Sequence, residues 1–199
     1  MEQITFKQYR TIDLTIWTVL TILFEAITTM ASTKWFAGQP VAISITLTLV
    51  CVVMMRWSGY AAITALAGGF IFCMISGGSP EQYLIYCSGN LFALLALLLV
   101  RAWGKEQIRD SKWKIFFFVL AAYILMAAGR GTVSLLFGGD AMAYVVFATT
   151  DIISLLFAVV VLILLKGLDG MIEDQKAYLI RQEKERREKA NDIYIEDEY

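Results

Sequence analysis

Four polar residues lie inside long apolar segments and are the residues of this sequence that could take part in chemistry. They are Glu25, Asn90, Arg130 and Asp151. A charged side chain is costly at membrane depth, so each of these residues needs a partner or a function. An arginine fork suits a carboxylate or phosphate of a ligand. The two acids can accept hydrogen bonds from amine or ring N–H groups, and the asparagine amide adds an oriented donor and acceptor.

The apolar segments themselves predict an all-α, multi-pass membrane protein with six transmembrane helices. The 199 residues are 58% hydrophobic and only 18% charged, and the mean hydropathy is +0.64. This is more apolar surface than a soluble domain of this length needs. A bilayer core about 30 Å thick takes roughly 20 apolar residues per helix. Six segments are predicted as spans: 13–36, 41–56, 58–77, 81–101, 114–137 and 142–166.

The placement of lysine and arginine predicts the orientation of these six helices. One side of the predicted membrane domain carries Lys7, Arg10, Arg56 and the basic loop 102–113, whereas the loops of the other side carry only Lys34. Basic loops stay in the cytoplasm. Both termini are therefore expected inside, which agrees with an even number of spans.

The chain changes character after residue 168. Residues 1–168 form the predicted membrane domain, and 169–199 form a charged cytoplasmic tail that is expected to be helical and then frayed. The charge density favours a solvated helix. A docking surface for a cytoplasmic partner is the alternative.

With this orientation, the four polar residues converge on one level of the membrane. Predicted helices 1 and 5 enter from the cytoplasm and helices 4 and 6 from outside, and each residue adds about 1.5 Å. Glu25, Asn90, Arg130 and Asp151 then lie from the middle to the outer half of the bilayer, with Tyr86 and several hydroxyls nearby. The inner halves of helices 4 and 6 read LFALLALLLV and LLFAVVVLILL. This pattern predicts a ligand cavity that opens outwards, and a structural Arg130–Asp151 ion pair is the alternative.

Two further features each have two interpretations. Trp35, with Phe36, follows predicted helix 1 at the outer interface, either as an aromatic anchor or as part of a lid over the cavity that could stack on a ligand ring. Ala61, Ala65 and Gly69 form a row of small residues that lets another helix approach closely. That helix belongs either to the same bundle or to another membrane subunit.

The sequence also indicates several absences. It has no histidine, and its three cysteines, Cys51, Cys73 and Cys87, lie in apolar segments, so we expect no disulfide and no metal site. It contains no P-loop, G-x-S-x-G, H-E-x-x-H or C-x-x-C pattern, so we expect neither a cofactor nor an enzyme. The polar first ten residues favour a membrane helix over a cleavable signal peptide, and the charge distribution does not point to nucleic acid.

The chain resembles the substrate-binding S-components of energy-coupling factor (ECF) transporters, which are bacterial vitamin-uptake subunits of similar size with six helices and both termini inside. The segment PVAISITLTLVCVVMMRWSGYAAITALAGG is similar to the helix 2–helix 3 region of that family, where a turn with an aromatic or basic residue precedes a G-x-x-A-A/G-type helix start. Two features depart from the family. Its A-x-x-x-A motif in helix 1 is broken, because Met30 follows four residues after Ala26, and the long charged tail is unusual.

The resemblance implies a pocket in the outer half, lined by helices 4, 5 and 6, with contacts from Asn90, Arg130 and Asp151. It also implies a transmembrane coupling subunit and two ATPase subunits as partners in a bacterial plasma membrane. The expected function is then the binding subunit of an ECF-type uptake transporter for a small polar, vitamin-like metabolite. A membrane sensor or scaffold that signals through its tail is the alternative. An intramembrane enzyme and a stand-alone secondary transporter are disfavoured, because neither a catalytic constellation nor an inverted repeat is visible.

Overall fold

A computed structural model describes residues 5–35 and 43–196, and every regular element in these residues is helical. Two 3₁₀ segments, Ser58–Tyr60 and Phe92–Ala96, link neighbouring α-helices. The α-helices are α1 Phe6–Trp35, α2 Thr46–Trp57, α3 Ala61–Ser76, α4 Pro80–Leu91, α5 Leu97–Trp103, α6 Lys105–Asp110, α7 Lys112–Leu136, α8 Met142–Thr150, α9 Ile152–Leu165 and α10 Gln175–Glu196.

Helix α1 turns its polar side inward and its apolar side outward. Thr21, Glu25 and Thr29 are buried, whereas Leu23 and Ile27 are 54% and 61% exposed. A surface helix of a soluble protein has the opposite arrangement. Hydrocarbon chains solvate leucine and isoleucine well and offer polar groups no hydrogen bonds, so a lipid environment explains this pattern.

Helix α2 lies at the centre of the bundle and forms a hairpin with α3. All 12 residues of α2 are buried. The chain turns after it at Ser58, which has a φ of 53°. A Cβ atom placed on Gly68 of α3 would lie 2.1 Å from Oγ1 of Thr46, the first residue of α2. On a single straight helix these two residues would be about 33 Å apart, so α2 and α3 run in opposite directions.

The ends of several helices meet at one pole of the bundle. Arg56, near the end of α2, pairs with Asp13 at 2.6 Å and donates to the Gly170 carbonyl at 2.6 Å. Lys105 at the start of α6 pairs with Asp174 at 2.7 Å. We call Asp13, Arg56, Lys105, Gly170 and Asp174 the basal cluster. It joins the first turns of α1 to the end of α2, to α6 and to the segment after α9.

By length and composition, the described residues contain four helical runs that could cross a membrane: Phe6–Trp35, Thr46–Ser76, Pro80–Trp103 and Lys112–Leu136. The pair α8 and α9, bent by 46° at Asp151, is a fifth if it counts as one span. The all-helical architecture is as predicted, whereas the six predicted spans are not confirmed, since four or five runs qualify by length and composition. The predicted spans 41–56 and 58–77 fall together in one of these runs, Thr46–Ser76, within which α2 and α3 run in opposite directions. Helix α2, with 12 residues, is only about 18 Å long.

The predicted row of small residues is used inside this bundle. Ala61 and Ala65 are fully buried. A Cβ on Gly69 would come within 2.9 Å of the backbone of Tyr86 in α4. These residues therefore make the contact within the bundle that the sequence allows, and the contact with another membrane subunit stays a prediction.

Glycines also bring α4 and α7 into close contact. A Cβ on Gly89 would lie 2.7 Å from Cα of Arg130, and one on Gly129 would lie 2.5 Å from the Gly89 carbonyl oxygen. Backbone atoms cannot move aside as the end of a flexible side chain can. These two glycines therefore fix the separation of the helices that carry Asn90 and Arg130.

This packing predicts that Gly89→Ala and Gly129→Ala each destabilise the protein by about 1–3 kcal/mol, because the added methyl group overpacks a backbone contact. Gly59→Ala is the matched control, since a Cβ there meets no atom within 4 Å. Thermal unfolding in detergent measures the effect. Equal stability of all three variants would contradict the close contact of α4 and α7.

Candidate functional site

Glu25 binds the start of α2 from the neighbouring helix α1. Its side chain is fully buried. Oε2 accepts hydrogen bonds from the backbone N–H groups of Ile45 and Thr46, both at 2.9 Å, and from the hydroxyls of Ser44 at 2.9 Å and Thr46 at 2.8 Å. The first N–H groups of a helix have no partner within the helix. A carboxylate supplies that partner and interacts favourably with the helix dipole.

Arg130 forms the second part of the site and is 3% exposed. Its Nε donates to Oδ1 of Asn90 at 2.8 Å, and its Nη1 forms an ion pair with Oδ2 of Asp151. Its Nη2 contacts Sδ of Met126 at 3.4 Å, and its guanidinium lies 4.6 Å from the ring centre of Tyr86. The Arg130–Asp151 ion pair given as the structural alternative is therefore present, and a hydrogen bond from Arg130 adds Asn90 to it.

A serine pair extends the Glu25 group to α9. The backbone N–H of Ser44, whose hydroxyl donates to Glu25, donates to Oγ of Ser154 at 2.9 Å. Ser154 lies in the first turn of α9, three residues after Asp151, so the chain itself brings the two groups close together. We call the two groups together the polar belt, and it consists of Glu25, Ser44, Asn90, Arg130, Asp151 and Ser154. The amide of Asn90 extends the belt to α3 by donating to the Ala65 carbonyl at 3.2 Å.

The belt brings together the four residues that depth counting predicts to converge. Glu25, Asn90, Arg130 and Asp151 each have less than a tenth of their surface exposed. Tyr86 joins them through Arg130, and its ring contacts Phe72 and Phe147.

Trp35 is not in this group: its side chain is 79% exposed at the end of α1. The predicted lid continues into residues 36–42, which lie outside the described residues, as do 197–199 at the end of the tail.

Most of the hydroxyls near the belt bond to their own helix. Thr28 donates to the Phe24 carbonyl, Thr132 to Ala128 and Thr149 to Val145, at 2.8–2.9 Å. Such bonds are common for threonine in membrane helices and carry little information about a ligand. Their nearness to the belt in sequence therefore does not make them site residues.

Sequence reasoning missed Ser44 and Thr46 as the donors to Glu25. A signal was available, because serine or threonine directly before an apolar run is typical of a helix start. The predicted second span begins at residue 41 and therefore places these two residues inside a helix. Tyr123 was also missed, and its hydroxyl donates to the Ala148 carbonyl near the bend between α8 and α9.

The basal cluster is a second polar site, at the other end of α2. Arg56 donates to both oxygens of Asp13 and to the carbonyls of Gly170 and Met171, and it is 6% exposed. Gln175, also buried, accepts from the Tyr9 hydroxyl at 3.0 Å. The sequence identified Arg56 only as a marker of orientation.

The pKa of Asp174 in this cluster lies below its ordinary value. Burial raises the pKa, but the hydrogen bond and charge of Lys105 and the N–H groups of Ala177 and Lys176 lower it by more. A carboxyl group with a lowered pKa stabilises the fold at any pH above its unfolded pKa, and this contribution is lost as the pH falls through the folded pKa. The contact of Lys105 with Asp174 is thus complete at neutral pH and is lost only in acid.

The geometry predicts that Glu25→Ala destabilises the protein by about 3 kcal/mol or more, because each buried donor left without an acceptor costs about 1–3 kcal/mol. Thr28→Ala, one turn further along α1, should cost less than about 0.5 kcal/mol, since that hydroxyl is partly exposed and bonds only its own helix. Thermal unfolding in detergent compares the two variants. A Glu25→Ala protein as stable as Thr28→Ala would contradict the role of Glu25 at the start of α2.

Comparison of the chain with known protein families, with curated protein sequences and with solved structures gives no match. The polar belt and the basal cluster are therefore the features from which a function can be inferred.

Proposed function

We propose that this chain is the membrane-embedded substrate-binding subunit of an ECF-type uptake transporter in a bacterial plasma membrane. It binds a small polar, vitamin-like metabolite at the polar belt, in the outer half of a six-span bundle whose termini both lie in the cytoplasm. The observation that carries the proposal is the belt itself. Three ionisable side chains and an asparagine are buried inside an otherwise apolar bundle, in two neighbouring hydrogen-bonded groups: Glu25 with Ser44 and Ser154, and Arg130 with Asn90 and Asp151.

The alternating direction of the helices supports the six-span arrangement. The basal cluster gathers the first turns of α1, the end of α2, the start of α6 and the segment after α9. The polar belt lies at a second level, towards the other end of the bundle. It contains Glu25 and Asp151 and lies beside the start of α2. A chain that passes between these two levels six times brings both termini to the basal side, where the basic residues predict the cytoplasm.

Charge at membrane depth supports a binding role for the belt. A buried ion pair between helices is often replaceable by apolar residues without loss of stability. Intramembrane charges are therefore by default the mark of a functional site. The sequence has no P-loop, so the free energy for uptake would come from the coupling subunit and ATPases that the resemblance implies.

A membrane sensor or scaffold that signals through its tail is the second candidate, and the basal cluster favours it. Arg56 holds the Gly170 and Met171 carbonyls, and Ile172 is 1% exposed. The root of α10 is therefore attached to the bundle, so a movement of α2 would reach the tail. This attachment is what a signalling tail requires.

A matched pair of variants tests the ligand role of the belt. Asp151→Asn and Asp13→Asn each remove one carboxylate from a buried arginine pair, and these aspartate side chains are 12% and 14% exposed. Both should lower thermal stability to a similar extent. Only Asp151→Asn should also abolish the small molecule that co-purifies with the protein, detected by mass spectrometry of a methanol extract. Equal retention of that molecule by both variants would contradict a ligand site at the belt.

Affinity purification in mild detergent separates the two candidate functions. With the full chain as bait in its native host, we expect to recover a membrane coupling subunit and two ATPases. A chain that ends after Gln175 keeps the basal cluster and lacks the rest of α10, and it should retain the co-purifying small molecule. Recovery of a signalling enzyme that depends on residues 176–196, without ATPases, would favour the sensor instead.

A further inference from the structure

We infer that the ligand presents a protonated amine to the polar belt and that the Asp151 carboxylate receives it. This inference rests on the proposed function and specifies its substrate class. Some hydrogen-bonding groups of the belt already have partners, and others remain free.

Most of the strong donors of the belt are engaged. Each of the three nitrogens of Arg130 has one partner, in Asn90, Asp151 and Met126, so three of its five N–H groups are used. The Asn90 amide uses its oxygen for Arg130 and its nitrogen for the Ala65 carbonyl. A ligand carboxylate or phosphate at the remaining N–H groups would lie beside the Asp151 carboxylate, whose like charge repels it. This repulsion disfavours the sequence-based expectation that Arg130 pairs with an anionic group of the ligand.

Acceptor capacity remains at the two acids. An ionised carboxylate has about four acceptor sites on its two oxygens. Asp151 uses Oδ2 for Arg130, and its Oδ1 has no hydrogen-bond partner among the described residues. Glu25 concentrates four hydrogen bonds on Oε2, whereas the one contact of Oε1 is with the Thr29 hydroxyl at 3.4 Å.

The net charge of the belt also favours a cationic ligand group. The belt has two acids and one base: Arg130 is paired directly with Asp151, and the hydrogen bonds of Glu25 all come from neutral donors, with Arg130 acting on its charge only at longer range. The start of α2 offsets roughly half of a unit charge. An uncompensated negative charge is costly away from water. A cationic group bound at the belt would remove this cost, whereas an anion would increase it.

The position of Asp151 makes it the first contact for such a group. Its side chain is 12% exposed and lies at the 46° bend between α8 and α9. Glu25, in contrast, has no exposed surface. An ammonium group can therefore reach Oδ1 of Asp151 without opening the hydrogen bonds that Glu25 makes to α2.

Three probes that differ only at one end test this inference on the full chain in lipid nanodiscs. They are 2-phenylethylamine with an ammonium group, 2-phenylethanol with a hydroxyl and 3-phenylpropanoate with a carboxylate. At equal concentration, only the amine should raise the temperature of thermal unfolding. Its dissociation constant should rise by roughly tenfold or more in Asp151→Asn and stay unchanged in the control Asp13→Asn.

An equal response to all three probes, or a response to 3-phenylpropanoate alone, would overturn the inference. If Asp151→Asn does not fold, the probe series on the unaltered chain decides the question, with Asp151→Glu as the variant that keeps the carboxylate.

Failure of the amine inference can be distinguished from failure of the proposed function. An anionic metabolite recovered together with coupling ATPases would refute the amine and keep the transporter. Amine binding that depends on Asp151, in a protein that recovers no coupling ATPases, would keep the amine and refute the transporter.

Discussion

The contact of Glu25 with the start of α2 is the constraint on which the rest of this bundle depends. Helix α2 is buried along its whole length, so water cannot satisfy its first N–H groups, and in hydrocarbon every backbone polar group needs a partner within the protein. A carboxylate on α1 supplies that partner. At the other end of α2, Arg56 pairs with Asp13, again on α1. Asp13 and Glu25 are separated by twelve residues, about 18 Å along α1. Helix α2 is thereby fixed to α1 at both ends, and the remaining helices pack around this pair.

The structural and ligand-binding interpretations of the buried charges are compatible in this arrangement. An ion pair that holds α7 to the bend between α8 and α9 also fixes the direction in which the second oxygen of Asp151 points. A binding site needs such a supporting network, because a side chain held by its neighbours loses little conformational freedom when a ligand arrives. If the ligand is an amine, as inferred above, Arg130 supports the site and does not contact the ligand. Its three nitrogens fix Asn90, Asp151 and the guanidinium plane, and a ligand that took one of them would loosen the helices it links.

Hydropathy and depth counting predict the helical fold and the convergence of Glu25, Asn90, Arg130 and Asp151, because these depend on one-dimensional quantities: the length of an apolar run and the rise per residue. They also predict the turn between α2 and α3, because 41–56 and 58–77 are counted as separate spans. The complete burial of α2 does not follow from them, since a helix as short as α2 avoids lipid by lying at the centre of the bundle. The partners of Glu25 are equally inaccessible to pattern reasoning, since Ser44 and Thr46 are close to it only in space. The use of Ala61, Ala65 and Gly69 within the bundle depends on α4, which a row of small residues does not identify.

The basal cluster changes what the charged tail can mean. A polar helix after the last apolar segment looks detachable in sequence, yet Ile172 and Gln175 are almost completely buried and Arg56 holds the backbone just before them. The root of α10 therefore belongs to the bundle, and the exposed part of the helix begins beyond it. Arg56 lies at the end of the same helix whose start is held by Glu25. The polar belt and the tail root are thus joined by one continuous buried helix, along which a shift of α2 would be passed from one to the other.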